Sequence, residues 1–272
     1  MQNFTNKLVY ITGGSSGIGL ETAGLLSSLG AHIVIFARNK EKLDQAKKDI
    51  EGHRLSPSQN IQAMPLDVAD HDDCQIRMND AVKQFGVPDI VITSAGVGNA
   101  DHFENISHEA FDSLMKINVY GTRSVIAALL PSMKDRGGLI VIISSAAGLM
   151  GMFGYTSYAT SKYALVGFAE CLRSELKCYD ISVTLVCPPE VDTPFLANES
   201  TIPREARALK NFAGTLQPGP VAKAIVKGIA KKKFLVIPGI LANLLFLNHR
   251  LTNGWATRIT SDLIVKWVQR KK

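Results

Sequence analysis

Short, unbroken apolar runs alternate with helix-length amphipathic stretches from one end of the chain to the other. Ile33-Val34-Ile35-Phe36 and Leu139-Ile140-Val141-Ile142-Ile143 are apolar at every position, where a strand with one wet face would alternate. Such runs belong in a parallel sheet covered on both sides. The pattern predicts strands over 8–12, 32–37, 61–66, 89–93, 139–144, 182–187 and 234–237. Between them it predicts helices over 18–29, 40–50, 72–85, 109–130, 158–179 and 221–231. Strand and helix in turn give an α/β fold, one doubly wound parallel sheet of about seven strands with helices on both faces. The 194–220 segment carries Pro, Gly and mixed polar residues, with only a weak helical pattern near 205–212. A stretch this long between firm elements reads as a substrate lid.

At 272 residues, with 46% hydrophobic and 20% charged side chains, the chain has apolar material for one large core. The formal charge of +6 does not point to nucleic acid, because Lys and Arg are spread along the chain except at 231–233 and 270–272. Cys74, Cys171, Cys178 and Cys187 show neither zinc-site spacing nor a disulfide framework, so no metal is expected and the thiols read as reduced. Cys171 and Cys178 would lie about 10 Å apart along one helix, too far for a bridge. Reduced thiols and a polar start at 1–7 lead to the expectation of a cytoplasmic protein without a signal peptide.

The first predicted strand runs into Thr12-Gly13-Gly14-Ser15-Ser16-Gly17-Ile18-Gly19 and then directly into a helix. That context marks the dinucleotide-binding turn of a Rossmann-type fold. Gly13 permits the tight turn, Gly17 lets backbone approach a pyrophosphate, and Gly19 lets helix pack closely on sheet. Ser15, Ser16 and Ile18 belong to the same set, at the positive end of the helix. After the second strand the chain reads Phe36-Ala37-Arg38-Asn39. A carboxylate there would hold a ribose 2′-hydroxyl; none is present, and the guanidinium of Arg38 suits a 2′-phosphate, hence NADP(H).

The fifth strand ends in Ile143-Ser144-Ser145, and Tyr158-Ala159-Thr160-Ser161-Lys162 heads the helix that follows. Four residues apart, Tyr158 and Lys162 share a helical face, so an ammonium can sit by the phenol. A neighbouring cation lowers a tyrosine pKa from about 10 toward working pH, as a general acid or base requires. Ser145, at the carboxyl end of its strand, can donate a hydrogen bond to a substrate oxygen. Singly these residues also suit a core aromatic, a solvated charge and a helix cap; the set in this order does not.

With the glycine turn, the Ser, the Tyr with Lys four residues on, and Asn118 in Lys116-Ile117-Asn118-Val119, residues 4–240 resemble the short-chain dehydrogenase/reductase family. The resemblance implies an NADP-dependent oxidoreductase in which Ser145 binds the carbonyl and Tyr158 is the acid/base. Lys162 would bind the nicotinamide ribose and lower the Tyr pKa, and Asn118 would hold a water in the proton relay. It further implies that Asp67 and Val68 contact the adenine, that Ala95 and Gly96 pass beside the cofactor, and that Pro188, Val191 and Thr193 follow the nicotinamide. Homo-oligomers, dimers or tetramers, built on the long helices at Glu109 and Tyr158 are implied as well. Two departures stand out: Thr93-Ser94-Ala95-Gly96 replaces the family's Asn-Asn-Ala-Gly, and Pro188-Pro189 replaces its Pro-Gly, removing an amide donor.

Within the family, the run from Leu149 to Tyr158 and Cys187-Pro188-Pro189-Glu190-Val191-Asp192-Thr193-Pro194 are similar to the 3-ketodihydrosphingosine reductase branch. That similarity implies reduction of a long-chain 3-keto lipid to its alcohol. Another ketone, such as a 3-oxoacyl thioester, a steroid or a retinoid, would use the same residues. A non-catalytic cofactor-binding scaffold would be expected to lack at least one of Ser145, Tyr158 and Lys162. The tail leaves two readings open. The apolar stretch 240–251, broken by Asn243, is shorter than the roughly 20 residues that span a bilayer. Trp255, Ile259, Leu263 and Trp267 recur every four residues beside Arg258 and Lys266. Residues 241–272 are thus expected to form a helical extension that either lies at the cytosolic face of a membrane or packs on protein.

Overall fold

The computed structural model describes residues 4–195 and 202–271. Its first half runs β1 (Leu8–Thr12), α1 (Gly17–Ser28), β2 (His32–Ala37), α2 (Lys40–Glu51), β3 (Ile61–Pro65), α3 (His71–Phe85), β4 (Ile90–Thr93), α4 (His108–Met115) and α5 (Gly121–Lys134). The chain continues through β5 (Gly138–Ile143), α6 (Thr156–Glu175), β6 (Ile181–Val186), β7 (Glu190–Val191), α7 (Arg204–Ala213) and β8 (Thr215–Leu216). It closes with α8 (Pro218–Ala230), β9 (Leu235–Val236), α9 (Ile240–Leu251) and α10 (Trp255–Arg270).

Seven strands form one parallel sheet in the order β3-β2-β1-β4-β5-β6-β9. The expected doubly wound α/β sheet is therefore present. Side chains one apart on a strand enter opposite layers, as the period of two requires. Ile11, Ile35 and Val141 join a core roofed by α1, α2 and α8, whereas Tyr10, Val34, Ile140 and Ile142 join one roofed by α3, α5 and α6. Both faces are dry, which is why these strands are apolar throughout. The chain winds outward through β2 and β3, then returns to start again at β4 beside β1. At that reversal the carboxyl ends of β1 and β4 open a crevice, where ligands of such sheets sit.

Two departures from the pattern-based expectation have physical causes. The helix expected over 109–130 is α4 and α5 with a π-helical turn, Lys116–Tyr120, between them, and α5 runs past Pro131. The proline removes one amide bond, but complete burial of Leu129 and Met133 on either side carries the helix on to Lys134. The extra residue of the π turn aims Asn118 inward, fully buried. The second departure is a small parallel pair, β7 with β8, registering Glu190 with Thr215 and Val191 with Leu216. A two-residue strand has no periodicity to read.

The weak pattern near 205–212 is α7; residues 196–201 of the expected lid lie outside the described residues. The tail forms α9 and α10, and α10 packs along α7, with Arg204 Nη2 donating to the Lys271 carbonyl at 2.9 Å. Among the described residues no helix is long and apolar enough to cross a membrane.

Candidate active site

The glycine turn after β1 lies where the sheet reverses. Gly13 has φ 68°, and a Cβ there would fall 2.6 Å from the Ala95 amide nitrogen, so the loops after β1 and β4 abut as only glycine allows. A Cβ at Gly19 would collide with the Gly13 carbonyl, which explains the close packing of α1 on the turn. Ser16 caps α1 without a side-chain hydrogen bond, and no acidic residue stands in the first turn. That helix end therefore keeps its amides and positive dipole for an anion, so the residues present fit a dinucleotide pyrophosphate.

Arg38 and Asp67 follow β2 and β3 at the same edge of the sheet. Arg38 is exposed, and Asp67 accepts a hydrogen bond from the Ala69 amide at 3.0 Å. Val68 is buried beneath the first turn of α5, where a Cβ on Gly121 would strike it at 2.9 Å.

Ser145 leaves β5 in extended conformation and caps the short turn Ala146–Gly148, its Oγ accepting from the Ala147 amide at 3.2 Å. The hydroxyl proton remains available to a substrate oxygen. A Cβ at Gly148 would fall 2.6 Å from the Lys162 carbonyl, so this turn can press against α6 only with glycine there. Tyr158 lies in the first turn of α6 and Lys162 one turn later. The Lys162 ammonium sits 5.7 Å from the Tyr158 ring centre and donates to the Ile143 carbonyl at 3.1 Å. Only 5% exposed, it loses hydration, and burial lowers its pKa to about 8. The buried Cys187 thiol beside it is pushed up to about 12 by the same loss of water.

Asn118 joins three segments. Its Oδ1 accepts from the Val97 amide at 2.9 Å, while Nδ2 donates to the Val97 carbonyl at 2.9 Å and to Ser161 Oγ at 3.0 Å. Ser161 in turn donates to the Tyr158 carbonyl at 2.8 Å. The Asn118 carbonyl accepts from the Thr122 hydroxyl at 2.8 Å. The side chain thus ties the loop after β4 to the helix carrying Tyr158 and Lys162.

These pieces meet around a cavity of about 530 Å³. Of the residues singled out from sequence, Gly13, Ser16, Gly17, Ile18, Ala95, Gly96, Ser145, Tyr158, Lys162, Pro188, Val191 and Thr193 line it. Ser15, Gly19, Arg38, Asp67, Val68 and Asn118 do not: some sit behind the lining, and others lie farther along the strand ends. Sequence reasoning missed other contributors, among them the Glu190–Lys210 pair and two more. Phe195 packs its ring 6.0 Å from that of Tyr158 and against Gly98. The inner side of the α9–α10 pair adds Ala242, Leu245 and Ile264. Neither carries a local signal, because both reach the cavity from distant elements. An acid/base phenol, a buried ammonium and a serine hydroxyl beside a dinucleotide turn can together protonate the oxygen of a carbonyl, or deprotonate that of an alcohol.

The family model for short chain dehydrogenase matches residues 7–203. Over 229 residues the chain is 40% identical to a Mus musculus protein named 3-ketodihydrosphingosine reductase, covering 83% of this chain and 69% of the relative. It is 38% identical over 229 residues to a Danio rerio 3-dehydrosphinganine reductase, with 83% and 69% covered. Among solved structures it superposes on a short chain dehydrogenase/reductase from Burkholderia phymatum in complex with NAD, with TM-score 0.77, 24% identity, and 87% and 90% of the two chains covered. Levodione reductase gives TM-score 0.79 at 23% identity, with 89% and 99% covered. Matching in sequence over most of its length and in the course of its sheet, the chain belongs to the short chain dehydrogenase family and is an oxidoreductase that works with a nicotinamide cofactor.

Proposed function

We propose that the protein reduces a long-chain 3-keto lipid such as 3-ketodihydrosphingosine to its secondary alcohol with NADPH. One observation carries this reading. The cavity that holds Ser145, Tyr158 and Lys162 is mostly apolar and extends to α9 and α10, where Ala242, Leu245 and Ile264 stand among Asn248, Thr257, Thr260 and Ser261, which suits an acyl chain with a polar head. The names of the relatives supply the substrate class. Arg38, with no carboxylate at the end of β2, supports NADP(H) over NAD(H).

Bound nicotinamide would supply the hydride. Ser145 donates a hydrogen bond to the ketone oxygen and holds it toward Tyr158. Tyr158 gives its phenolic proton to that oxygen, and the Lys162 ammonium stabilises the phenolate left behind. Asn118 positions α6 through Ser161 and holds the relay that restores the proton. Gly13 and residues 15–19 bind the pyrophosphate, Arg38 the 2′-phosphate, Asp67 and Val68 the adenine, and Ala95, Gly96, Pro188, Val191 and Thr193 the nicotinamide half.

In this reading residues 1–240 are the reductase domain, 194–220 its lid and 241–272 a helical extension that rests on the cytosolic face of a membrane. Nine of the fifteen exposed large apolar side chains of the described residues lie on α9 and α10, from Ile240 to Trp267. The exposed Arg250, Arg258, Lys266 and Arg270 border them, suiting anionic headgroups. Homo-oligomers would use the long helices, on which Tyr120 and Tyr163 are exposed. The test is NADPH oxidation with a ketone panel that includes a long-chain 3-ketosphingoid base. Activity on that base is expected; activity on short ketones alone would overturn the substrate assignment.

A further inference from the structure

Three charged residues line the cavity among the described residues: Lys162, Glu190 and Lys210. Glu190 is its one carboxylate. It stands in β7 directly after Pro188-Pro189, and both prolines line the same cavity. The Thr215 hydroxyl of β8 donates to its Oε1 at 2.9 Å. Its Oε2 is buried and faces the Lys210 ammonium of α7, 2.6 Å away as an ion pair. Both side chains are largely withdrawn from water, 18% and 11% exposed. A buried ion pair beside an apolar cavity loses hydration on both sides and is weak evidence for stability. A carboxylate facing an apolar cavity is, in contrast, a site where a second cation can be received by charge-assisted hydrogen bonding.

We propose that Glu190 sets substrate specificity by receiving an ammonium group on the carbon next to the substrate's ketone, exchanging or sharing the ion pair it makes with Lys210. This rests on the reading above, because a 3-ketosphingoid base is a long-chain 2-amino ketone. Burial lowers the pKa of Lys210, so it can lose its proton more readily than a solvated lysine and leave the carboxylate to an incoming cation. A cationic substrate entering an apolar cavity needs such a counter-charge, and a neutral ketone does not.

The test uses three ketones of one chain length: the 2-amino-3-ketone, its N-acetyl derivative and the 3-ketone with hydrogen in place of nitrogen. The full-length protein and its Glu190→Gln, Glu190→Asp and Lys210→Met variants are assayed by NADPH oxidation, with cofactor fluorescence titration as the check on folding. The wild type should favour the amino ketone over its N-acetyl derivative. Glu190→Gln should lower that kcat/KM ratio roughly 10- to 100-fold, mainly through KM, as loss of a charge-assisted hydrogen bond does. Glu190→Asp should keep part of the preference, and Lys210→Met should keep it. An unchanged ratio in Glu190→Gln, with all three ketones slowed alike, would overturn the proposal and leave Glu190 as a fastener of α7. A wild type that reduces the neutral ketones but not the amino ketone would overturn the substrate reading itself. The wild type also gives an independent readout: a long-chain alkyl amine should compete with substrate better than the matching alcohol, and equal competition would count against Glu190.

Discussion

The Lys162 ammonium lies 5.7 Å from the centre of the Tyr158 ring, buried and tied to the Ile143 carbonyl. Burial sets its pKa at about 8, below the ordinary 10.5, so its charge is present below that pH and lost above it. Without the charge the Tyr158 phenolate is no longer stabilised. The kcat/KM for ketone reduction, which reports the free enzyme, should therefore fall as pH rises through about 8. Lys162→Arg should move that alkaline limb upward if the larger head fits, because a guanidinium stays charged. A limb that stays in place in an active arginine variant would assign it to another group.

The same lysine weakens the fold it serves. Its folded-state pKa, about 8, lies below the ordinary 10.5, so the unfolded chain holds more protons between those values. Stability contributed by this group thus rises with pH across that window, and the penalty is full below it. The gap corresponds to about 3 kcal/mol. Lys162→Met should abolish activity yet raise the Tm at pH 7, by less than the full penalty because the Ile143 carbonyl loses its donor. Thermal unfolding of the two proteins at pH 7 and pH 10 tests this; the difference should shrink at the higher pH.

The stabilising layers were legible in sequence because both-face burial leaves unbroken apolar runs such as residues 139–143. Tyr158 and Lys162 were legible because one helical turn sets their spacing. Their neighbours were not. The Glu190–Lys210 pair, the Phe195 contact and the α9–α10 lining depend on elements brought together from distant parts of the chain. The π turn was invisible for a different reason: one extra residue shifts the apolar stripe by a single position, which the mixed apolar run around residues 114–120 hides, while it redirects Asn118.

Asn118 uses both ends of its amide on Val97 and Ser161, so its side chain acts as a brace. Asn118→Ala would leave the Val97 amide and carbonyl without their partners, at about 1–3 kcal/mol for each group left buried and unsatisfied. The Tm should fall, and kcat should fall more than KM rises, because the loop after β4 is no longer tied through Ser161 to the start of α6. Asn118→Asp should restore only the bond to the Val97 amide. An unaltered Tm in the alanine variant would show that water replaces the amide.

In the proposed reading, cofactor choice turns on the end of β2. Ala37 is the last residue of that strand, and its carbonyl accepts from the Leu66 amide at 3.0 Å, which fixes the backbone there. Ala37→Asp places a carboxylate where it can bind a ribose 2′-hydroxyl and repel a 2′-phosphate. The kcat/KM preference for NADPH over NADH should fall by about tenfold or more, and Arg38→Ala should lower it too. Selectivity unchanged in both variants would place the 2′-phosphate elsewhere.

The outer side of α10 offers the sharpest test of membrane contact. Trp255, Ile259, Leu263 and Trp267 are 57%, 50%, 62% and 57% exposed, along one side of the helix, while Ile264 lines the cavity. Deleting residues 252–272 would strip that lining and the Arg204 contact to Lys271 along with the apolar stripe, so loss of binding would be ambiguous. Leu263→Ser with Trp267→Ser removes apolar surface from the outer side and leaves the cavity lining in place, although it also removes the seat of the Lys271 ammonium, 3.7 Å over the Trp267 ring. Sedimentation with anionic vesicles should show binding weakened by about tenfold or more in this variant, and weakened for the wild type by high salt, which screens Arg258 and Lys266. Reduction of a water-soluble short-chain ketone should persist, because neither residue touches the cavity. Undiminished vesicle binding would remove α10 from the membrane and leave its apolar side to a second copy of the chain.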